Sequence, residues 1–293
     1  MTSIKCVAFT GGEPLLLGST LYELIAHAVG RGLRTRVVTS AYWGNSVQQK
    51  QKTIDKLLSA GLHELNISTG DFHKQFVPVD QVCEVAFASA LAGIYTMIAV
   101  EHHPDSEINK EFIVQKIKNI AGETKLSKPI RVLENILVPT DLEYLENKTL
   151  PSNTETRKEY GCKNICINLS LLPTGEVYAC CGLTIQKIPD LKLGNLDDLL
   201  ANKNERELEN FLFNNLLHLW LAIDGPEIMA RFVEKESGVK ILDEKMEHRC
   251  HQCLAMFSSP NTREILNGLA SQEKTRILLN FFQQQDFYSK NIL

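Results

Sequence analysis

Short apolar, β-branched runs alternate with longer stretches of helical period through the first half of the chain. The runs begin near Ile4 (IKCVAF), Arg34 (RTRVVTS), Glu64 (ELNIST), Gly93 (GIYTMIAV) and Ile130 (IRVLENILV), so strands recur about every thirty residues, as βα units do. Between them the helix limits are legible. Thr20 with Glu23 and Ser46 with Gln49 read as capping boxes, and Gly32, Gly61, Gly93 and Gly122 follow the helical stretches as stops. Over residues 46–60, Ile54, Leu57 and Leu58, with Gly61, mark the face packed on a sheet, while residues 48–52 and Asp55 face solvent. This pattern predicts an α/β fold with parallel strands. Its ligand face would lie at the strand C-terminal ends, collecting residues 10–14, 39–44, 68–73 and 101–103.

The second half changes character. Apolar alternation through Ile165-Cys166-Ile167-Asn168-Leu169 and Glu176-Val177-Tyr178-Ala179, around Pro173-Thr174-Gly175, predicts a β-hairpin. The stretch from Leu193 to Leu200 reads as a turn entering a helix. Residues 142–158 are polar, contain Pro151 and form the best boundary. Residues 204–235 read as helices around Leu208, Phe211, Leu212, Leu216, Leu219 and Trp220. A tail from Thr262 is amphipathic through Ile265, Leu266, Leu269, Ile277, Leu278 and Phe281.

Composition narrows the function classes. The 293 residues are 44% hydrophobic and 23% charged, enough to bury a full core. A net charge of -4 with dispersed Lys and Arg argues against nucleic acid as the main partner. The start of the sequence carries no signal peptide and no apolar run approaches membrane-spanning length, so the expectation is a cytoplasmic protein without a membrane partner. The 8 cysteines should then be reduced, which favours metal or cluster ligation for the clustered ones.

Two constellations carry chemistry. Phe9-Thr10-Gly11-Gly12-Glu13-Pro14 closes the first apolar run: adjacent glycines let backbone approach a ligand, and the carboxylate beside them can receive a cation such as an amino group. Downstream, Cys162, Cys180, Cys250 and Cys253 are spaced as two distant groups, with Cys166 and Cys181 as competitors. Neighbouring strand residues face opposite sides, so Cys180 and Cys181 cannot both serve one iron easily. Four thiolates suit one Zn²⁺ or an iron-sulfur cluster, and spacing does not choose.

Gly11-Gly12-Glu13-Pro14, followed by VVTSAYWG (37–44) and NISTGDFHKQFVP (66–78), resembles the radical S-adenosylmethionine (SAM) superfamily over roughly residues 4–140. The resemblance implies a partial (β/α)6 TIM-like barrel missing its first strand, in which Gly11, Gly12, Glu13 and Pro14 hold the methionine amino end of SAM and Ser68 adds a polar contact. The cysteine order after Cys162 is similar to the SPASM/Twitch extension of that superfamily. It implies one auxiliary [4Fe-4S] cluster on Cys162, Cys180, Cys250 and Cys253, with Cys166 able to replace Cys162. The domains then run 1–145 (incomplete barrel), 146–160 (linker), 161–260 (Twitch-like module) and 261–293 (helical tail).

The superfamily's Cys-x3-Cys-x2-Cys loop, expected upstream of Gly-Gly-Glu-Pro, is not in this sequence. The expectation is that an amino-terminal segment is missing, the other reading being a degenerate or separately expressed fragment, and that this chain alone does not cleave SAM. By resemblance, the complete enzyme forms a 5′-deoxyadenosyl radical to abstract hydrogen from a peptide or small-molecule substrate, fed by an electron donor protein. The alternative is a noncatalytic binding protein stabilised by zinc or a single cluster. Plainer readings stand beside the rest. Cys6 and Cys83 read as packed core thiols. Asp71 and His73 touch substrate or form a hydrogen-bonded cap. Glu101, His102 and His103 lie at a strand mouth. His248 and His251 either serve the cluster sulfurs or sit on the surface, and Trp43 shapes a pocket rim or packs.

Overall fold

The computed structural model describes residues 4–102, 105–136, 161–201, 215–243, 246 and 248–291. The chain divides into two units, residues 1–137 and 138–293. The expected linker at 146–160 and the helical positions Leu208, Phe211 and Leu212 lie outside the described residues, as does His103.

In the first unit the five apolar runs are the strands of one parallel sheet: β1 (Cys6–Phe9), β2 (Arg34–Thr39), β3 (Glu64–Gly70), β4 (Tyr95–His102) and β5 (Ile130–Ile136), in the order β1-β2-β3-β4-β5. Helices α1 (Ser19–Gly30), α2 (Val47–Ser59), α3 (Val79–Ala92) and α4 (Lys110–Ala121) fill the connections. Right-handed crossovers between strands laid down consecutively put all the helices on one face. Burial agrees with this. Val37, Leu65, Ile67, Ile98, Val100 and Val132 share one core with Leu21, Ile25, Ile54, Leu57, Val82, Val85 and Ile113. The alternate strand positions Arg36, Val38, Ser68, Met97 and Ala99 are only half-buried on the opposite face. There the registered pair Arg36 and Glu64 forms a two-pronged ion pair at 2.9 and 3.1 Å.

Local signals set most boundaries. Ser46 caps α2 by accepting from Gln49 N at 3.2 Å, and Gly93, in the left-handed region at φ 106°, closes α3. Thr20 is no cap. Helix α1 begins at Ser19 behind Gly18, with no side-chain cap, because the preceding 3₁₀ turn Pro14–Leu17 hands the chain directly to it. In α2, Ile54 and Leu57 are fully buried as expected, but Leu58 is exposed and Thr53 takes the inward position. Burial of each such aliphatic side chain stabilises by roughly 1.5–3 kcal/mol. Cys83 is a core thiol on α3, whereas Cys6 is exposed, since it falls on the helix-free face of an edge strand.

The second unit has a small antiparallel sheet, β6 (Ser170–Leu171), β7 (Glu176–Tyr178) and β8 (Lys192–Asn195). The hairpin turns at residues 172–175, where Leu172 N donates to Glu176 O and Gly175 N to Leu172 O. Its first strand is shorter than the alternation predicts. Residues 165–168 form turns, with Cys166 at φ 62°, and the stretch read as a turn into a helix is strand β8 leading to α5 (Leu196–Ala201). Helices α6 (Leu216–Ser237), α7 (Arg249–Ser258), α8 (Pro260–Gln272) and α9 (Lys274–Asn291) follow. They build a second core around Trp220, Met229, Phe257, Leu266 and Ile277. Helix α6 breaks at Gly225 (φ 75°, ψ 170°) before Pro226, whose missing N–H cannot continue the helical ladder. Among the described residues, no helix is long and apolar enough to cross a membrane.

Candidate functional site

The Gly-Gly-Glu-Pro turn leaves β1 at its C-terminal end. Gly11 and Gly12 have φ of 84° and 49°, a region that L side chains avoid, and a Cβ on either would meet nothing within 4 Å. Their main chain is exposed, with open space above it. Glu13 is placed differently from the sequence expectation of a carboxylate free for a ligand. Oε1 accepts from Thr39 Oγ1 at 2.8 Å and Leu15 N at 3.3 Å, and Oε2 accepts from Ser40 N at 2.9 Å and Ser40 Oγ at 2.8 Å. A carboxylate has about four lone-pair sites, so protein donors use its acceptor capacity. Glu13 therefore binds the end of β1 to the end of β2. Thr39 extends the clamp, its hydroxyl also accepting from Ala41 N at 3.1 Å and Trp43 Nε1 at 3.2 Å. Trp43 is buried in the core and does not form a rim.

Ser68 lies on the helix-free face of β3, half-buried and registered with Ala99. Asp71 behaves as a cap. It accepts from Glu107 N at 2.9 Å and pairs with Lys74 at 2.9 Å. Burial pushes its carboxyl up, but hydrogen bonds from Lys74, Glu107 N and Ser106 outweigh burial and hold it below the ordinary range. The His73 ring lies with Nδ1 3.1 Å from Glu101 Oε2, so the turn after β3 meets the C-terminal end of β4 in a histidine–carboxylate pair.

In the second unit, segments far apart in sequence bring cysteines together. The Cys162 amide donates to Leu221 O at 2.8 Å, in the turn of α6 just before its break at Gly225. Gly161 makes that approach possible, because a Cβ there would lie 2.1 Å from Ala222 O. Arg249 NH1 donates to Gly161 O at 2.9 Å, and Thr184 Oγ1 donates to Cys250 O at 3.0 Å, which fastens the start of α7 to both other cysteine segments. His248 caps α7 by accepting from Cys250 N at 3.2 Å. Burial, with His251 and Arg249 nearby, brings His248 down to about 4, so its ring is neutral and its Nδ1 available as that acceptor.

Cys253 lies within electrostatic range of Cys180, Cys162 and Cys250, and Cys180 within range of Cys162, Cys181 and Cys250. Cys166 lies within electrostatic range of Cys162. Cys180 is buried while Cys181 is exposed, although both lie beyond the end of β7, outside any strand. Burial pushes Cys180 up to about 12 and Cys253 well above the usual thiol range, so these two thiols are protonated at neutral pH and cation binding by them must release protons. Among the described residues, no three His, Cys, Asp or Glu side chains are placed to hold a single metal ion. Tetrahedral zinc bonds of about 2.3 Å would draw four sulfurs to roughly 3.8 Å from one another. A cluster spreads its thiolates over several irons and asks for less convergence.

What the sequence did not show is the set of fastenings: Thr39 and Ser40 on Glu13, Thr184 on Cys250, and Gly161 beneath α6. Hydroxyls and glycines are too common for their identity to mark them out. No family model matches the chain, and no curated protein matches it significantly.

Proposed function

We propose that the chain is an iron-sulfur protein of radical SAM type, with a partial (β/α)6 barrel in its first unit and a Twitch-like cluster module in its second. The observation that carries the reading is the gathering of Cys162, Cys180, Cys250 and Cys253 within electrostatic reach of one another, each on a segment fastened by main-chain hydrogen bonds or core packing. The singly wound sheet order and the open Gly11-Gly12 turn support the barrel half. Those thiols would hold one [4Fe-4S] cluster. Such an auxiliary cluster would bind substrate or carry an electron.

The residues of this chain take definite parts in that reading. The exposed main chain of Gly11 and Gly12 binds the methionine amino end of SAM through its carbonyls. Glu13 and Pro14 hold that turn in shape, Glu13 through Thr39 and Ser40. Ser68 contributes a hydroxyl from the open face of β3. His73, oriented by Glu101, faces substrate, and Asp71 holds the neighbouring loop. The substrate is a peptide or small molecule, electrons come from a donor protein, and the setting is the cytoplasm. SAM cleavage requires a Cys-x3-Cys-x2-Cys loop that this sequence lacks.

The test is anaerobic reconstitution of this chain, and of a version extended upstream, with iron, sulfide and zinc counted per chain. About four irons in the short chain, as one [4Fe-4S] cluster requires, and about twice that with SAM cleavage in the extended one, support the reading. One zinc and no iron in both replaces it with the noncatalytic, metal-stabilised alternative.

A further inference from the structure

Helix α6 is two helical pieces joined at Gly225, and its hydrogen-bond ladder has a gap there, because Pro226 has no N–H to give to Ala222 O. Something other than the ladder must hold the joint. The carboxylate of Asp224, the residue before it, is held from two sides: Oδ2 accepts from Trp220 Nε1 at 2.8 Å, on the same piece, and from Arg276 NH1 at 2.8 Å, on α9. Arg276 is itself oriented. Its Nε donates to Glu273, just before α9, and its guanidinium carbon lies 5.9 Å from the centre of the Trp220 ring. Trp220 and Ile277 are fully buried in one core, which anchors the clamp in both helices. The joint also seats the first cysteine segment. Cys162 N donates to Leu221 O at 2.8 Å, a Cβ on Gly161 would lie 2.1 Å from Ala222 O, and one on Gly225 would lie 3.3 Å from Gly161 C. Two glycine backbones in contact leave no slack, so a joint that shifts displaces Gly161 or breaks the Cys162 hydrogen bond.

We propose that Arg276 is a positioning residue for Cys162: by clamping Asp224, helix α9 fixes the break in α6 on which the Gly161–Cys162 segment is seated. The ligand role of Cys162 rests on the cluster reading above, whereas the coupling of α9 to its segment does not. Arg249, which donates to Gly161 O at 2.9 Å, holds the same segment to the start of α7. Cys162 is therefore placed against Cys250 and Cys253 by two arginines, one acting on its segment directly and one through the joint.

The experiment is amide hydrogen exchange on the reduced, metal-free full chain, in wild type, Arg276→Gln and Arg276→Lys. The expected result is a Cys162 amide that exchanges about tenfold faster in Arg276→Gln, as loss of a charge-assisted bond from one locally opening segment requires. The amide of Leu266, buried in α8, keeps its wild-type rate, and Arg276→Lys, which retains the ion pair, restores protection at Cys162. An unchanged Cys162 rate in Arg276→Gln overturns the proposal. So does an equal acceleration at Leu266, which marks a general loosening of the unit. If Arg276→Gln fails to fold, the wild-type protein decides. The Ile277 amide, which donates to Glu273 O at 2.9 Å, reports the first turn of α9. In urea below the unfolding transition, the Cys162 amide should open with Ile277 or before it, and a Cys162 amide still protected after Ile277 has exchanged overturns the proposal. Iron counted on the reconstituted wild-type chain keeps the two readings apart: a chain that binds none overturns the cluster reading, while the coupling is decided by exchange without metal.

Discussion

One carboxylate oxygen of Glu13 accepts both the main-chain amide and the hydroxyl of Ser40, at 2.9 and 2.8 Å. The other oxygen accepts from Thr39, whose hydroxyl in turn accepts from Ala41 N and Trp43 Nε1. A single hydroxyl with one proton and two lone pairs is fully used in this way.

Thr39→Val keeps the shape of the side chain and removes every one of those bonds. It leaves the indole N–H of buried Trp43 and the amide of Ala41 without an acceptor, at a cost of about 1–3 kcal/mol for each buried group left unpaired. Urea unfolding should show a midpoint lowered accordingly, while Thr39→Ser stays near wild type. A Thr39→Val midpoint equal to wild type would show that the clamp contributes nothing.

Gly44 lies where the loop after β2 meets α3. A Cβ there would lie 2.2 Å from Val85 Cγ2, so Gly44→Ala overpacks the site and destabilises by about 1–3 kcal/mol. Val85→Ala creates room. In a double-mutant cycle the pair should lose less stability than the two single changes combined, and strict additivity would show that the two positions do not meet.

Cysteine replacements should sort by location. Serine at Cys162, Cys180, Cys250 or Cys253 lowers iron uptake on anaerobic reconstitution, because each substitution removes one soft ligand. Cys6→Ser and Cys83→Ala retain full iron. Cys166 stands outside the ligand set of this reading, so Cys166→Ser also retains iron. Loss of iron in that variant with retention in Cys162→Ser would move the ligand role to Cys166.

His218 is buried on α6, its Nε2 3.0 Å from Asp190 O. Burial pushes its ionisation below the usual imidazole value, against a smaller upward pull from Asp190. The folded state therefore takes up the proton less readily than the unfolded state. The associated stability is fully present above about pH 6.5, the unfolded value, and is lost as the pH falls toward the lower folded value. Unfolding midpoints at pH 7.5 and 5.5 should drop more in wild type than in His218→Gln. Equal drops would exclude this ring as the source.

Local chemistry alone determined much of this protein. The apolar runs near Ile4, Arg34, Glu64, Gly93 and Ile130 each became a strand in parallel order, because period and β-branching act on the chain wherever it lies. Ser46 and Gly93 marked helix ends for the same reason, since caps satisfy groups within one turn. Tertiary structure decided what depended on neighbours distant in sequence. Cys6 and Leu58 have apolar surroundings in the sequence yet face outward, because exposure follows from the sheet edge and the helix face that the fold leaves uncovered. The Ile165–Leu169 alternation yielded to turns, with Cys166 bonded through its amide to Ala179 O at 2.7 Å. The fate of Glu13 was likewise settled by β2. A carboxylate beside two glycines is equally able to meet a ligand or a hydroxyl, and only the packing of neighbouring strands brought Thr39 and Ser40 within reach.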